Sequence, residues 1–188
     1  MIEKLRSVLA KRPVSRIHDS KPRLSAVLVP LFLKDGQYHL LFIQRTERVR
    51  EHKGQISFPG GAYEKTDKTL LNTALREAQE EIGLAPGDVE VLGELDDMLT
   101  VSTNYVISPF VGLIPFPYNF ELDKWETEEL IEAPVAALQE KGCLSEEIEI
   151  TDGKKVVSFS FKYGDRVIWG ATARILKQFL EIVTLLMV

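Results

Sequence analysis

The chain has 188 residues, of which 45% are hydrophobic and 27% charged, with a formal net charge of -5 at pH 7. That is enough for one well-buried core and too little for a second full domain, so a single domain over 1–188 is expected. The acidic balance argues against a broad nucleic-acid surface without excluding nucleotides, and the single cysteine, Cys143, rules out an internal disulfide and suits a reducing, cytoplasmic setting.

Residues 2–11 read as a short amphipathic helix through Ile2, Leu5 and Leu9, with charge interleaved among single apolar residues rather than the apolar run of a signal peptide. A polar loop with Pro13 and Pro22 follows. The runs 25–33 and 38–44 are apolar and partly β-branched, and Asp35-Gly36 between them signals a hairpin. Phe58-Pro59-Gly60-Gly61 suits a tight loop in which glycines let backbone approach a ligand. A helix is predicted over about 68–82, with Asp67 as its N-cap and Gly83 where a left-handed residue ends it.

Further strands are expected near 88–95, 105–114, 129–133, 148–150, 156–161 and 167–169, with turns at Asp152-Gly153 and Gly164-Asp165. Helices are expected near 134–141 and 170–186. The last is apolar, but Arg174, Lys177, Gln178 and Glu181 interrupt it before it reaches the roughly 20 residues a bilayer requires. The chain does not end in the peroxisomal Ser-Lys-Leu. Strand runs with embedded helices and no internal repeat give an α/β or α+β class.

The 76–84 segment carries the chemistry. Glu77, Glu80 and Glu81 stand at i, i+3 and i+4. At about 100° per residue they share one side of the helix, with Leu71, Leu75, Ala78 and Ile82 roughly 130° round from them. Three negative charges within about one turn repel one another unless a cation neutralises them. Oxygen ligands without nearby His or Cys point to Mg2+ or Mn2+ and away from zinc. Just before the glycine loop, Arg45, Arg48, Arg50, His52 and Lys53 form a basic cluster.

These residues carry a resemblance. Gly61 through Leu84, ending in Arg76-Glu77-Ala78-Gln79-Glu80-Glu81-Ile82-Gly83-Leu84, resembles the signature of the Nudix hydrolases. The pattern departs from the family's upstream, where Asp67 stands in place of the usual Glu and one extra residue precedes Arg76, so no role is carried over to Asp67. Leu41-Phe42-Ile43-Gln44-Arg45-Thr46, then Arg50, Gly54 and Phe58-Pro59-Gly60-Gly61, is similar to the extra signature of the coenzyme A pyrophosphatase branch. The resemblance covers about 25–180. It implies the Nudix fold, an α/β/α sandwich around a central mixed sheet.

The resemblance also implies the activity. A pyrophosphate resists attack because its oxygens repel a nucleophile, and a divalent ion held by carboxylates removes that barrier. Glu77 and Glu81 are expected as metal ligands. Glu80 is expected as a ligand or as the group that orients water, and a Gly60 or Gly61 carbonyl would complete the shell. Arg76 is expected to hold the loop or a carboxylate through a bidentate pair. Arg45 and Arg50, with Gly60, are the substrate-binding expectations, because coenzyme A carries a 3′-phosphate beside its pyrophosphate. Glu129 and Glu132 are candidates for a base.

The expected reaction is metal-dependent hydrolysis of coenzyme A or its thioesters to adenosine 3′,5′-bisphosphate and 4′-phosphopantetheine or its acyl derivative. Two alternatives stay open: the same chemistry on an ADP-sugar, dinucleotide or capped RNA, and a non-catalytic nucleotide-binding module. The terminal helices could also build a homodimer.

Overall fold

A computed structural model describes residues 1–17, 23–48, 53–100, 104–151 and 154–187. In chain order the elements are α1 (Ile2–Lys11), β1 (Arg23–Lys34), β2 (Gln37–Arg45), β3 (Ile56–Ser57), β4 (Gly60–Ala62), α2 (Leu70–Ile82), β5 (Glu90–Glu94), β6 (Met98–Leu99) and β7 (Tyr105–Leu113). They continue with β8 (Thr127–Pro134), α3 (Val135–Leu138), β9 (Leu144–Thr151), β10 (Lys154–Tyr163), β11 (Arg166–Trp169) and α4 (Gly170–Met187).

The β1–β2 hairpin closes through Asp35 and Gly36, both at positive φ (49° and 77°), with Lys34 paired to Gln37. That is the two-residue turn whose twist matches the strands. β1 changes partner along its length, meeting β4 through Ser25, Ala26 and Val27 and β2 through Leu31 to Lys34. Pro30 falls between the two pairing stretches, where neither partner requires its missing N–H. Along its other edge β1 runs parallel to β7, whereas the other pairings are antiparallel, so the central sheet is mixed. Its main order is β3-β2-β1-β7-β5, with β4, β6 and β8 joined to β1, β7 and β2.

Each face of this sheet has its own core. On one face Ala74, Ala78 and Ile82 of α2 pack with Ala26, Leu28, Phe32, Leu41, Ile43 and Phe110. On the other, Ile175, Leu176, Phe179 and Val183 of α4 join Leu5 and Leu9 of α1, Leu40 and Phe42 of β2, and Phe161 and Ile168 of a second sheet, β11-β10-β9. The result is an α/β sandwich with a central mixed sheet and flanking helices, the Nudix fold. Among the described residues no helix is long and apolar enough to cross a membrane.

Three local expectations change. Thr69, not Asp67, caps α2: its side chain accepts from the Asn72 N–H at 3.1 Å, while Asp67 ends a 3₁₀ turn (Lys65–Asp67) and Lys68 turns through φ +64°. The Asp67 carboxylate is unavailable for the cap because Thr73 and Arg76 hold it. Phe58-Pro59-Gly60-Gly61 is not wholly loop, since Gly60–Ala62 is a strand on β1. The buried side of α2 runs through Thr73, Ala74, Ala78, Glu81 and Ile82, whereas Leu71 and Leu75 are only half-buried. Arg50, His52 and the Asp152-Gly153 turn lie outside the described residues.

Candidate active site

The small residues Ala74 and Ala78 let α2 lie close against the sheet. Glu81 is thereby carried into the seam between helix and strand, where only 3% of it is exposed. One oxygen accepts from the Gly60 backbone N–H at 3.0 Å, and the other accepts from Arg45 Nη1 at 3.0 Å. Gly60 adopts φ +158°, and a Cβ there would stand 2.4 Å from the Ala26 carbonyl oxygen. Only glycine can present its amide to Glu81 while pairing so closely with β1.

Gly61 meets the second carboxylate. A Cβ at Gly61 would lie 2.4 Å from the Glu77 carboxyl group, so the missing side chain is the space Glu77 occupies. Glu77 also pairs with Arg76 Nη1 at 2.9 Å. Glu80 is different: its side chain is 59% exposed and its contact is Arg76 Nη1, at 2.9 Å. The three carboxylates therefore form a graded row, with Glu81 buried, Glu77 half-buried and Glu80 at the surface.

Arg76 ties the row to the preceding turn. Its Nε and Nη2 donate to the two oxygens of Asp67 at 2.8 and 3.2 Å, and Nη2 also donates to the Ala62 carbonyl at 3.0 Å. Asp67 is buried and also accepts from Thr73 Oγ1 and the Glu64 N–H, each at 2.9 Å. The Arg76 hydrogen bond is the main force holding the Asp67 carboxyl down at about 2, against the cost of burial. Asp67, which the resemblance left without a role, thus anchors the arginine beside the carboxylates.

Burial drives Glu77 and Glu81 the other way. Glu81 is pushed up to about 8, chiefly by burial, with Glu77 and Glu126 adding repulsion and the Gly60 amide and Arg45 opposing it. The Arg45 contact favours the charged form and burial disfavours it, and burial prevails. Glu77 is raised as well, first by burial and then by the charges of Glu80 and Glu126, with Arg76 opposing.

Glu126, immediately before β8, is the member that sequence reasoning missed. Its carboxylate accepts from Arg45 Nη2 at 3.3 Å and adds negative potential at both Glu77 and Glu81. The signal for it was weak, because one Glu in an acidic loop resembles any solvated residue. The loop is seated on the end of α2 by backbone bonds from Glu121 to the Ile82 carbonyl and from Asp123 to the Glu81 carbonyl. Gly83, at φ +69°, admits that loop, since a Cβ there would come within 2.9 Å of Glu121. The two candidate bases have partners of their own: Glu129 pairs with Arg166 at 2.9 Å and Glu132 with Lys34 at 2.5 Å.

Among the described residues no three His, Cys, Asp or Glu side chains converge in a geometry that would hold a metal ion. The donor chemistry nevertheless fits a hard divalent cation. Glu77 and Glu81 are acidic oxygen donors drawn out of water, each raised first by burial and then by nearby carboxylates, Glu80 and Glu126 for Glu77 and Glu77 and Glu126 for Glu81, and a cation would relieve both.

The NUDIX domain model matches residues 22–141. This chain belongs to the Nudix family. It is 39% identical over 160 residues to a protein of Pectobacterium atrosepticum described as an uncharacterized Nudix hydrolase, NudL, covering 83% of this chain and 80% of that one. A NudL of Klebsiella pneumoniae, with the same description, is 37% identical over 168 residues, covering 89% and 86%. Among solved structures, a MutT/nudix family protein from Enterococcus faecalis shares the fold at TM-score 0.62 and 17% identity, over 98% of this chain and 70% of that one. As a Nudix enzyme, the chain is a nucleotide pyrophosphohydrolase.

Proposed function

We propose that this Nudix enzyme hydrolyses the pyrophosphate of coenzyme A or its thioesters, with water as the nucleophile and Mg2+ or Mn2+ as cofactor. The observation that carries the reading is the seat of Gly60 and Gly61 on Glu81 and Glu77, which joins the branch signature to the catalytic helix. Glu77, Glu80 and Glu81, with the Gly61 carbonyl, are the residues that would hold the cation. When bound, it would neutralise the pyrophosphate oxygens and lower the pKa of an attacking water. The cytoplasmic location inferred from the single cysteine belongs to the same proposal.

The protein's own groups prepare that site. The Gly60 N–H and Arg45 hold Glu81 in one orientation and favour its charged form. Arg76, fixed by Asp67, holds Glu77 and Glu80 at the mouth of the site. Arg45 reaches substrate only in so far as Glu81 and Glu126 release it; Arg50 and Gly60 complete the proposed substrate contacts. The membership of NudL in the matched relatives equally suits another nucleoside diphosphate derivative, such as an ADP-sugar or dinucleotide. The deciding experiment compares coenzyme A, NADH, ADP-ribose and diadenosine polyphosphates as substrates. Products of coenzyme A hydrolysis in isotopically labelled water identify the bond attacked. No preference for coenzyme A would overturn the substrate assignment.

A further inference from the structure

Away from the carboxylate row, a cleft of about 520 Å3 opens between the β2–β3–β8 end of the central sheet and the β10–β11 turn of the second sheet. Its walls combine three kinds of group: the Trp169 indole with Val167, both about half-exposed; the cations Lys53 and Arg166; and the amide of Gln44. The catalytic row uses none of them. β11 lies against β3, and β3 leads through Phe58 and Pro59 directly to Gly60 and Gly61. At about 3.3 Å per extended residue, Ile56 and Gly61 are at most roughly 17 Å apart. The cleft and the pyrophosphate site are therefore within reach of one nucleotide.

We propose that this cleft receives the adenosine 3′-phosphate end of the substrate, with the base stacked on Trp169 and the 3′-phosphate between Lys53 and Arg166. The phosphate assignment rests on the coenzyme A reading; the adenine stack requires only an adenine nucleotide. A large indole left half in water beside Val167 offers a flat apolar face that a heteroaromatic ring covers. The neighbouring Gln44 amide can both donate to and accept from a base edge.

The cation assignment follows from what is already engaged. Arg45 is committed to Glu81 and Glu126. Arg166 spends Nη2 on Glu129 at 2.9 Å, and a guanidinium has further N–H groups for a phosphate. Glu129 and Asp165 also line the cleft, so its walls are not a general anion trap. A free phosphate finds little net attraction there, whereas one delivered by a stacked base lands between two cations.

The test uses binding without turnover. In a Trp125→Phe background Trp169 is the remaining tryptophan, and its fluorescence is titrated with adenosine 3′,5′-bisphosphate and with 5′-AMP. Both are expected to quench it, the bisphosphate binding about 10-fold tighter, a difference that Lys53→Ala removes. In equilibrium dialysis, Trp169→Ala should weaken both nucleotides about 10-fold or more while Trp169→Phe keeps most of the affinity. Absence of quenching by either nucleotide, or an equal affinity for the two that Lys53→Ala leaves unchanged, would overturn the proposal. Quenching with the bisphosphate preference in a protein that fails to cleave coenzyme A would keep the cleft and refute the substrate reading.

Discussion

Replacing Asp67 by Asn tests whether the turn before α2 organises the carboxylate row. Asp67 is almost wholly buried and its carboxyl is held at about 2 rather than 3.8, mainly by Arg76. At about 1.4 kcal/mol per pKa unit, that corresponds to about 2 kcal/mol of stability at neutral pH. The sign follows from the order of the two values. The folded pKa lies below the unfolded one, so the contribution is complete above about pH 4 and is lost as pH falls towards about 2. Urea unfolding of both proteins at pH 7, 5 and 3 measures it. Asp67→Asn should be less stable by about 2 kcal/mol at pH 7, with the difference shrinking at pH 3. Its activity should also fall, because an Asn amide donor facing Arg76 loosens the arginine that holds Glu77 and Glu80. A difference under about 0.5 kcal/mol, or one that does not change with pH, would refute the account of Asp67 as the anchor.

Other expectations are quicker to check. Thr69→Ala should cost about 1 kcal/mol in thermal or urea unfolding by removing the bond to Asn72, with the Asp67 contacts intact. Gly61→Ala places a methyl 2.4 Å from the Glu77 carboxyl group, so pyrophosphatase activity should fall at least about 10-fold while circular dichroism stays native. Glu81→Gln should lose activity by about 100-fold or more. Without divalent ions, Glu81 has a folded pKa of about 8 against the ordinary 4.5, so the protein should lose stability as pH rises between these values. The variant's melting temperature should change less over that interval, and an identical pH dependence in the two proteins would contradict the burial argument.

Local features were legible wherever neighbours in sequence determine them. Asp35-Gly36 specified its turn, and Gly83 its left-handed helix end, because both depend on φ preferences of single residues. The carboxylate spacing placed Glu77, Glu80 and Glu81 together, yet the apolar periodicity misjudged which edge of α2 meets the sheet. Helical spacing fixes angles around an axis but not the rotation of that axis against a neighbour. Here Ala74 and Ala78 admit the sheet at close range and draw Glu81 into the seam. The capping error at Asp67 has the same character. Its side chain suited a cap, but a half-buried arginine and a buried threonine offered stronger partners than one helix amide.

By itself the sequence determined the inventory: an acidic row on a helix, a glycine pair, a basic stretch and the order of strands and helices. Only the tertiary structure decided what each charge does. It put Glu81 in contact with Arg45 and Gly60, 36 and 21 residues away, brought Glu126 to the same arginine across 81 residues, and set Trp169 and Lys53 around one cleft. Burial and ion pairing depend on segments remote along the chain. The same three glutamates therefore emerge as one buried, one half-buried and one exposed, a difference their spacing alone does not encode.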